Sequence, residues 1–224
     1  MSFNVAIDGP AGAGKSTVAK AVAGKMHLIY VDTGAMYRAM ALFMIREGVN
    51  LREKAAIAEK CHEARITIRH EDGVQVVCLN EENVNSLIRT EEVSHAASLV
   101  SVIPEVRTTM VNLQKRLAAD SDCIMDGRDI GTCVLPGAQL KIYLTASSEV
   151  RAKRRYDELA ARGEACDLKT IQADIEDRDY RDMHREISPL KQAEDAVLVD
   201  TSHMTQEEVI HAVADLCTQA RVRG

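Results

Sequence analysis

Eight consecutive residues near the start of the chain, Gly9-Pro10-Ala11-Gly12-Ala13-Gly14-Lys15-Ser16, match G-x-x-x-x-G-K-[ST] at every fixed position. Glycines in such a run let successive backbone N–H groups turn inward around an anion. A helix starting at the end of the run adds its positive N-terminus. Lys15 can then reach the β- and γ-phosphates of a nucleoside triphosphate, and the Ser16 hydroxyl can ligate Mg²⁺. The alternative is a chance glycine-rich turn, which a preceding strand and a following helix would argue against. The pattern points to nucleotide binding and leaves the reaction open.

A second set of residues bears on that reaction. Arg38, Arg107, Arg128, Arg178, Arg181 and Arg185 fall around candidate phosphate positions. Moving a phosphoryl group onto another phosphate brings two polyanions together, and planar guanidiniums suit both the neutralisation and the grip. Arg178, Asp182 and Arg185 lie at i, i+4 and i+7 and so share one face of a predicted helix, with Arg181 beside it. On an isolated helix this reads as a solvated, salt-bridged face; beside a phosphate loop it reads as a mobile, arginine-bearing lid. Arg38 follows a predicted strand, where ligands of open α/β sheets gather. Asp129 either pairs with neighbouring charges or touches substrate. Ser98 has no independent claim, and the seven His show no metal-ligand spacing. A GTPase would need N-K-x-D after a strand, and the sequence has none.

These side chains need a framework. Phe3–Ile7 reads as a buried strand, Lys15–Lys25 as a helix ending near Gly24, Leu28–Val31 as a strand, and Ala35–Glu47 as a helix closing at Gly48. Strand, glycine loop, helix and strand in this order predict a parallel sheet with crossover helices. The middle of the chain differs. Ile66, Ile68 and His70 alternate with Thr67 and Arg69, and Glu71-Asp72-Gly73 leads into Val74–Leu79, an antiparallel hairpin signal. It lies in an apparent insertion over roughly residues 60 to 95. Helices are predicted at 91–101 and after Pro104, strands at Cys123–Met125, Leu140–Leu144 and Ala196–Val199. Ser148–Arg162 and Leu168–Glu186 read as charged amphipathic helices around Gly163. Thr205-Gln206-Glu207-Glu208 forms a capping box for the last helix.

Composition narrows the partners. The formal net charge is −6, with no Trp, five Tyr and two Phe, which disfavours polymeric nucleic acid and an aromatic stacking platform. Hydrophobic residues at 46% argue for a packed core rather than disorder. None of the six Cys forms C-x-x-C, and Cys78 and Cys123 sit in apolar runs, so reduced core thiols are expected. The N-terminus lacks a signal-peptide pattern and no apolar run is long enough to span a membrane. The expectation is a cytoplasmic protein without a membrane partner.

Three segments are more specific. Asp8–Thr17, Asp32-Thr33-Gly34-Ala35-Met36-Tyr37-Arg38 and Asp126-Gly127-Arg128-Asp129-Ile130-Gly131-Thr132 resemble bacterial cytidylate kinases. So do Ile88–Val93, Arg178–Asp182 and Ser188-Pro189-Leu190, in order across nearly the whole chain. The resemblance implies ATP-dependent, Mg²⁺-requiring conversion of CMP or dCMP to the diphosphate. It implies a P-loop α/β core (about 1–32, 121–150 and 190–224), a monophosphate-binding region with the hairpin insert (about 33–120) and a short helical lid (about 151–189). ATP would be held by Gly9, Pro10, Ala11, Gly12, Ala13, Gly14, Lys15, Ser16 and Thr17. Thr33, Arg107 and Asp129 would lie at cytosine with Ser98 in support; Arg178 and Asp182 at the pentose; Arg38, Arg128 and Arg185 at the acceptor phosphate. Lys15, Arg128, Arg178 and Arg185 would be the catalytic cations, and a monomer is expected. Cys166 and its neighbours match no family motif. Two alternatives stand beside this reading: a kinase of the same fold acting on UMP, another monophosphate, shikimate or a nucleoside, and a nucleotide-binding module without transfer activity.

Overall fold

In a computed structural model of the chain, which describes residues 2–71 and 74–223, strands and helices alternate over the first four elements and then fall into runs of like elements. In chain order they begin with β1 (Asn4–Asp8), α1 (Lys15–Met26), β2 (Ile29–Asp32), α2 (Thr33–Arg46) and α3 (Lys54–Lys60). Then come β3 (Ile66–Glu71), β4 (Val74–Leu79), β5 (Glu82–Asn83), α4 (Glu91–Val100) and α5 (Pro104–Asp120). The chain finishes with β6 (Cys123–Gly127), β7 (Leu140–Thr145), α6 (Ser148–Ala161), α7 (Leu168–His184), β8 (Val197–Asp200) and α8 (Gln206–Arg223). Contacts divide it into two compact units, one of Phe3–Leu28 with the chain from Cys123 onward, the other of Ile29–Asp122 with Ser2.

In the first unit, strands run parallel in the order β6-β1-β7-β8. Val5 stands opposite both Ile124 and Leu140, and Ile142 opposite Val197. Parallel strands covered on both faces need continuous apolar runs, and Val5-Ala6-Ile7 and Cys123-Ile124-Met125 are all fully buried. The sheet's carboxyl end carries the chemistry-bearing residues: β1 leads into the glycine loop and β6 into Arg128 and Asp129. Residues Ile130–Val134 then form a single π-helical turn, which the sequence reading did not anticipate.

Two helix ends differ from expectation. Gly24 lies inside α1, which continues to Met26 and stops where His27 takes a left-handed conformation (φ 56°). The Leu28 N–H returns to the Ala23 carbonyl at 3.0 Å, closing the helix and sending Leu28 into the core. The buried leucine therefore sets the end, not the glycine. Similarly α7 ends at His184, and Arg185 is extended (φ −66°, ψ 143°). Its Nε donates to the Ser188 carbonyl at 2.6 Å, in a turn that places Ser188 at φ 48° directly before Pro189. The capping box holds: Glu208 N–H donates to Thr205 Oγ1 at 3.3 Å, and Thr205 N–H to Glu208 Oε2 at 2.8 Å.

The second unit packs α2, α4 and α5 with a three-stranded antiparallel sheet of order β3-β4-β5. Met36, Met40 and Met44, one turn apart on α2, are fully buried. β3 and β4 pair from Ile66 opposite Leu79 to Glu71 opposite Val74. The turn residues Asp72 and Gly73 lie outside the described residues. The short α3 and β5 had no clear signal. None of the six cysteines is in a disulfide.

Candidate active site

The glycine loop is shaped by close approach. A Cβ on Gly9, at φ 149°, would sit 1.9 Å from the Leu144 carbonyl oxygen of β7, so no other residue fits without moving the strand. Gly14 takes φ 88° as the residue before α1, which turns the helix N-terminus toward the loop. Lys15 begins α1 and is buried (6% exposed), its Nζ donating to the Pro10 carbonyl at 2.7 Å. Burial and then the nearby Arg128 push its pKa well below the ordinary lysine value, against the pull of Asp126 and Asp8. An ammonium so placed gains strongly from an incoming anion.

Two carboxylates organise the loop from beneath. Ser16 Oγ donates to Asp126 Oδ2 at 2.8 Å, bringing a hydroxyl and a buried carboxylate together at the ends of α1 and β6. Asp8, the last residue of β1, accepts from Ile130 N–H and Gly131 N–H, both at 2.7 Å, and so ties the π-helical turn to the strand before the loop. Burial raises the Asp8 carboxyl to about 6 although both amide bonds pull it down.

Two predicted arginines of this unit, Arg128 and Arg185, are each set against a carboxylate. Arg128 Nε donates to Asp182 Oδ2 on α7 at 2.9 Å. Burial works to raise the Asp182 carboxyl, but Arg128 above all, with Arg178 and Arg185, holds it below the ordinary range. Arg185, outside the helix, still places its guanidinium 3.5 Å from Asp129, with both side chains almost fully buried. Arg128, Asp129, Arg178, Asp182 and Arg185 thus come together, through a turn rather than a shared helical face for Arg185. Arg181 is exposed and donates to the Asp177 carbonyl of its own helix, the solvated arrangement considered for this segment.

Arg151 on α6 had no signal in the sequence. It is 5% exposed and touches three elements: Nε donates to the Ala146 carbonyl at 2.9 Å, Nη1 to the Ala11 carbonyl at 3.0 Å, and Nη2 lies 2.6 Å from Asp179 Oδ2 of α7. It therefore links the apex of the glycine loop to the helix that carries Arg178 and Asp182. Asp8, Asp126, Arg151 and Asp179 were the residues missed. Only the two strand-end carboxylates had a legible hint, since ligands of parallel sheets collect at that edge.

In the second unit Thr33 is the buried first residue of α2. Asp32 caps that helix, accepting from Ala35 N–H at 2.8 Å, and its other oxygen accepts from Arg38 Nη2 at 3.0 Å. Arg107, buried on α5, lies 5.9 Å over the Tyr37 ring and reaches the Ser101 carbonyl at 3.4 Å. Ser98 is half-buried on α4, and its carbonyl accepts from Ser101 Oγ at 3.0 Å.

A strand that turns through such a loop into a helix bearing a buried lysine defines a P-loop nucleoside-triphosphate-binding fold. A crystal structure of a gluconokinase from Sinorhizobium meliloti has the same fold, with TM-score 0.50 at 12% identity over 97% of this chain and 92% of that one. Residues 5–219 match the profile of the family described as cytidylate kinase. A cytidylate kinase of Lactobacillus gasseri is 49% identical over 214 residues, 96% of this chain and 93% of the relative. That of Listeria welshimeri is 48% identical over 216 residues, 96% of each. The chain belongs to the cytidylate kinase family. Among the described residues no helix is long and apolar enough to cross a membrane.

Proposed function

We propose that this chain transfers the γ-phosphoryl group of ATP to CMP and dCMP, giving CDP and dCDP. The observation that carries the reading is the buried Lys15 in the glycine loop, beside guanidiniums at the carboxyl end of the sheet. An oxygen of the acceptor phosphate forms the new P–O bond as the bond from the γ-phosphorus to the bridging oxygen of ADP breaks. The acceptor oxygen is already nucleophilic, so no general base is needed, and rate comes from positioning and charge stabilisation.

In this reading Gly9–Thr17 hold the triphosphate, and Lys15, Arg128, Arg178 and Arg185 follow the moving charge. Arg38, Arg128 and Arg185 take the acceptor phosphate, Arg178 and Asp182 the pentose, and Thr33, Arg107 and Asp129, supported by Ser98, the cytosine. A hydroxyl, a carboxylate and a guanidinium together match the carbonyl, ring nitrogen and exocyclic amine of that base. The segment of about 151–189 is assigned as the lid, whose closure excludes water. The Ser16 hydroxyl and Asp126 carboxylate, 2.8 Å apart, fit Mg²⁺, a hard cation that takes few protein oxygens and keeps water and phosphate for the rest. When bound there it neutralises and orients the phosphates. The protein is read as a cytoplasmic monomer.

The deciding experiment measures acceptor-dependent ADP release with CMP, dCMP, UMP, AMP and shikimate. Preference for CMP and dCMP is expected. Preference for another acceptor would replace the substrate, and ATP binding without any acceptor-dependent release would leave only a binding module.

A further inference from the structure

The hairpin insert ends in an unusual contact with the strand that precedes α2. β4 reads Val74-Gln75-Val76-Val77-Cys78-Leu79, and Gln75 is buried inside that apolar run (9% exposed). A buried primary amide needs partners for both ends. Gln75 finds them on one residue: Asp32 N–H donates to Gln75 Oε1 at 2.7 Å, and Gln75 Nε2 donates to the Asp32 carbonyl at 3.3 Å. The side chain thereby supplies at Asp32 the donor and acceptor that a neighbouring strand would supply. Partner identity fixes the orientation of the amide, since the N–H demands oxygen and the carbonyl demands nitrogen.

The same device recurs one step back. Asn85 Nδ2 donates to the Gln75 carbonyl at 2.9 Å, and Val77 N–H donates to Asn85 Oδ1 at 3.0 Å. His70 Nε2 meets the Tyr30 carbonyl at 3.0 Å, a second side-chain stitch from the hairpin to β2. Asp32 is also the cap of α2 and the carboxylate beside the Arg38 guanidinium. Every bond in this relay lies within the second unit.

We propose that Gln75 is a positioning residue for the acceptor: its amide fixes the backbone on both sides of the Asp32 Cα, and the Asp32 carboxylate in turn aims Arg38 and the first turn of α2, which begins with Thr33. The inference rests on the assignment of Arg38 and Thr33 to the acceptor nucleotide. It gives the insert a defined task, that of holding the acceptor-side residues in register from a distance.

The test uses Gln75→Met, which keeps the volume and removes both bonds, Gln75→Glu, which keeps the acceptor for Asp32 N–H, and Arg38→Ala. The readouts are KM and kcat for each substrate, the CMP dissociation constant by calorimetry, and the melting temperature. With the Asp32 N–H and carbonyl both deprived of their side-chain partner, Gln75→Met should weaken CMP about tenfold and change KM for ATP less than about twofold; Gln75→Glu, which sets a buried carboxylate oxygen against the Asp32 carbonyl, should weaken CMP at least as much. Equal weakening of both substrates, or a lowered melting temperature with unchanged CMP affinity, overturns the inference. Should Gln75→Met fail to fold, Asn85→Ala is read by the same split: a CMP-specific loss supports the relay and an even loss refutes it. If Arg38→Ala leaves CMP binding unchanged, the acceptor assignment fails and the inference falls with it. If Arg38→Ala weakens CMP and Gln75→Met does not, only the inference fails.

Discussion

Removing the carboxylate of Asp179 should loosen the glycine loop through Arg151, which holds the Ala11 carbonyl of that loop. Arg151 is 5% exposed and 2.6 Å from Asp179 Oδ2, and its other donors serve the Ala11 and Ala146 carbonyls. At a charge separation of about 4 Å and an effective dielectric near 20, the ion pair contributes about 4 kcal/mol of Coulomb attraction. Both carbonyls remain in Asp179→Leu and solvate part of the guanidinium, so about 3 kcal/mol of uncompensated burial is expected as lost stability. Arg151→Met should cost a similar amount, because it strands the Asp179 carboxylate, whose Oδ1 already lacks a hydrogen-bond partner among the described residues. The double variant, with neither charge, should be no less stable than either single one. The assay is urea unfolding of the four proteins as a double-mutant cycle, with KM for ATP measured alongside. Losses that simply add would refute the pairing. An unchanged KM for ATP in Arg151→Met would show that the Ala11 contact does not position the loop.

Further outcomes follow from the same geometry. Asp8 has a folded-state pKa of about 6 against an ordinary 3.8, so its stabilising protonated form is fully present below the lower value and lost as pH rises through the upper one. Over that window the protein without nucleotide should lose about 3 kcal/mol that Asp8→Asn does not, seen as converging urea midpoints between pH 4 and 7; parallel profiles would rule this out. Lys15→Ala should abolish phosphoryl transfer in an ADP-release assay while the fold persists by circular dichroism. Asp129→Ala should mainly weaken use of pyrimidine monophosphates, and unchanged CMP kinetics would remove Asp129 from the acceptor assignment.

What was legible in the sequence was local. The glycine loop is a contiguous pattern whose geometry follows from its own residues, and the alternation of Ile66, Ile68 and His70 marked the inner face of β3. The capping box at Thr205 was readable for the same reason. The misses needed distant partners. Gly24 suggested a helix end, but the burial of Leu28 decided it; Arg185 fitted a helical face until Pro189 closed the turn. Arg151 meets Ala11 140 positions away, and Gln75 meets the Asp32 backbone 43 positions away, so neither contact is marked by a neighbouring residue.

The charges of the first unit show why the loop needs these distant supports. Arg128, Arg151 and Arg185 each face a carboxylate, Asp182, Asp179 and Asp129, so each guanidinium is held in place by a partner. Lys15 is different: its Nζ donates to a neutral carbonyl, while burial and Arg128 weaken its hold on a proton. A triphosphate at the loop therefore adds its charge to the pull of Asp126 and Asp8 on Lys15, whereas on the proposed assignment an acceptor phosphate would have to draw Arg128 or Arg185 from a carboxylate already in contact. The donor should thus bind with less rearrangement than the acceptor. On the proposed assignment, that asymmetry would make Asp129 and Asp182 determinants of acceptor affinity by competition as well as by contact.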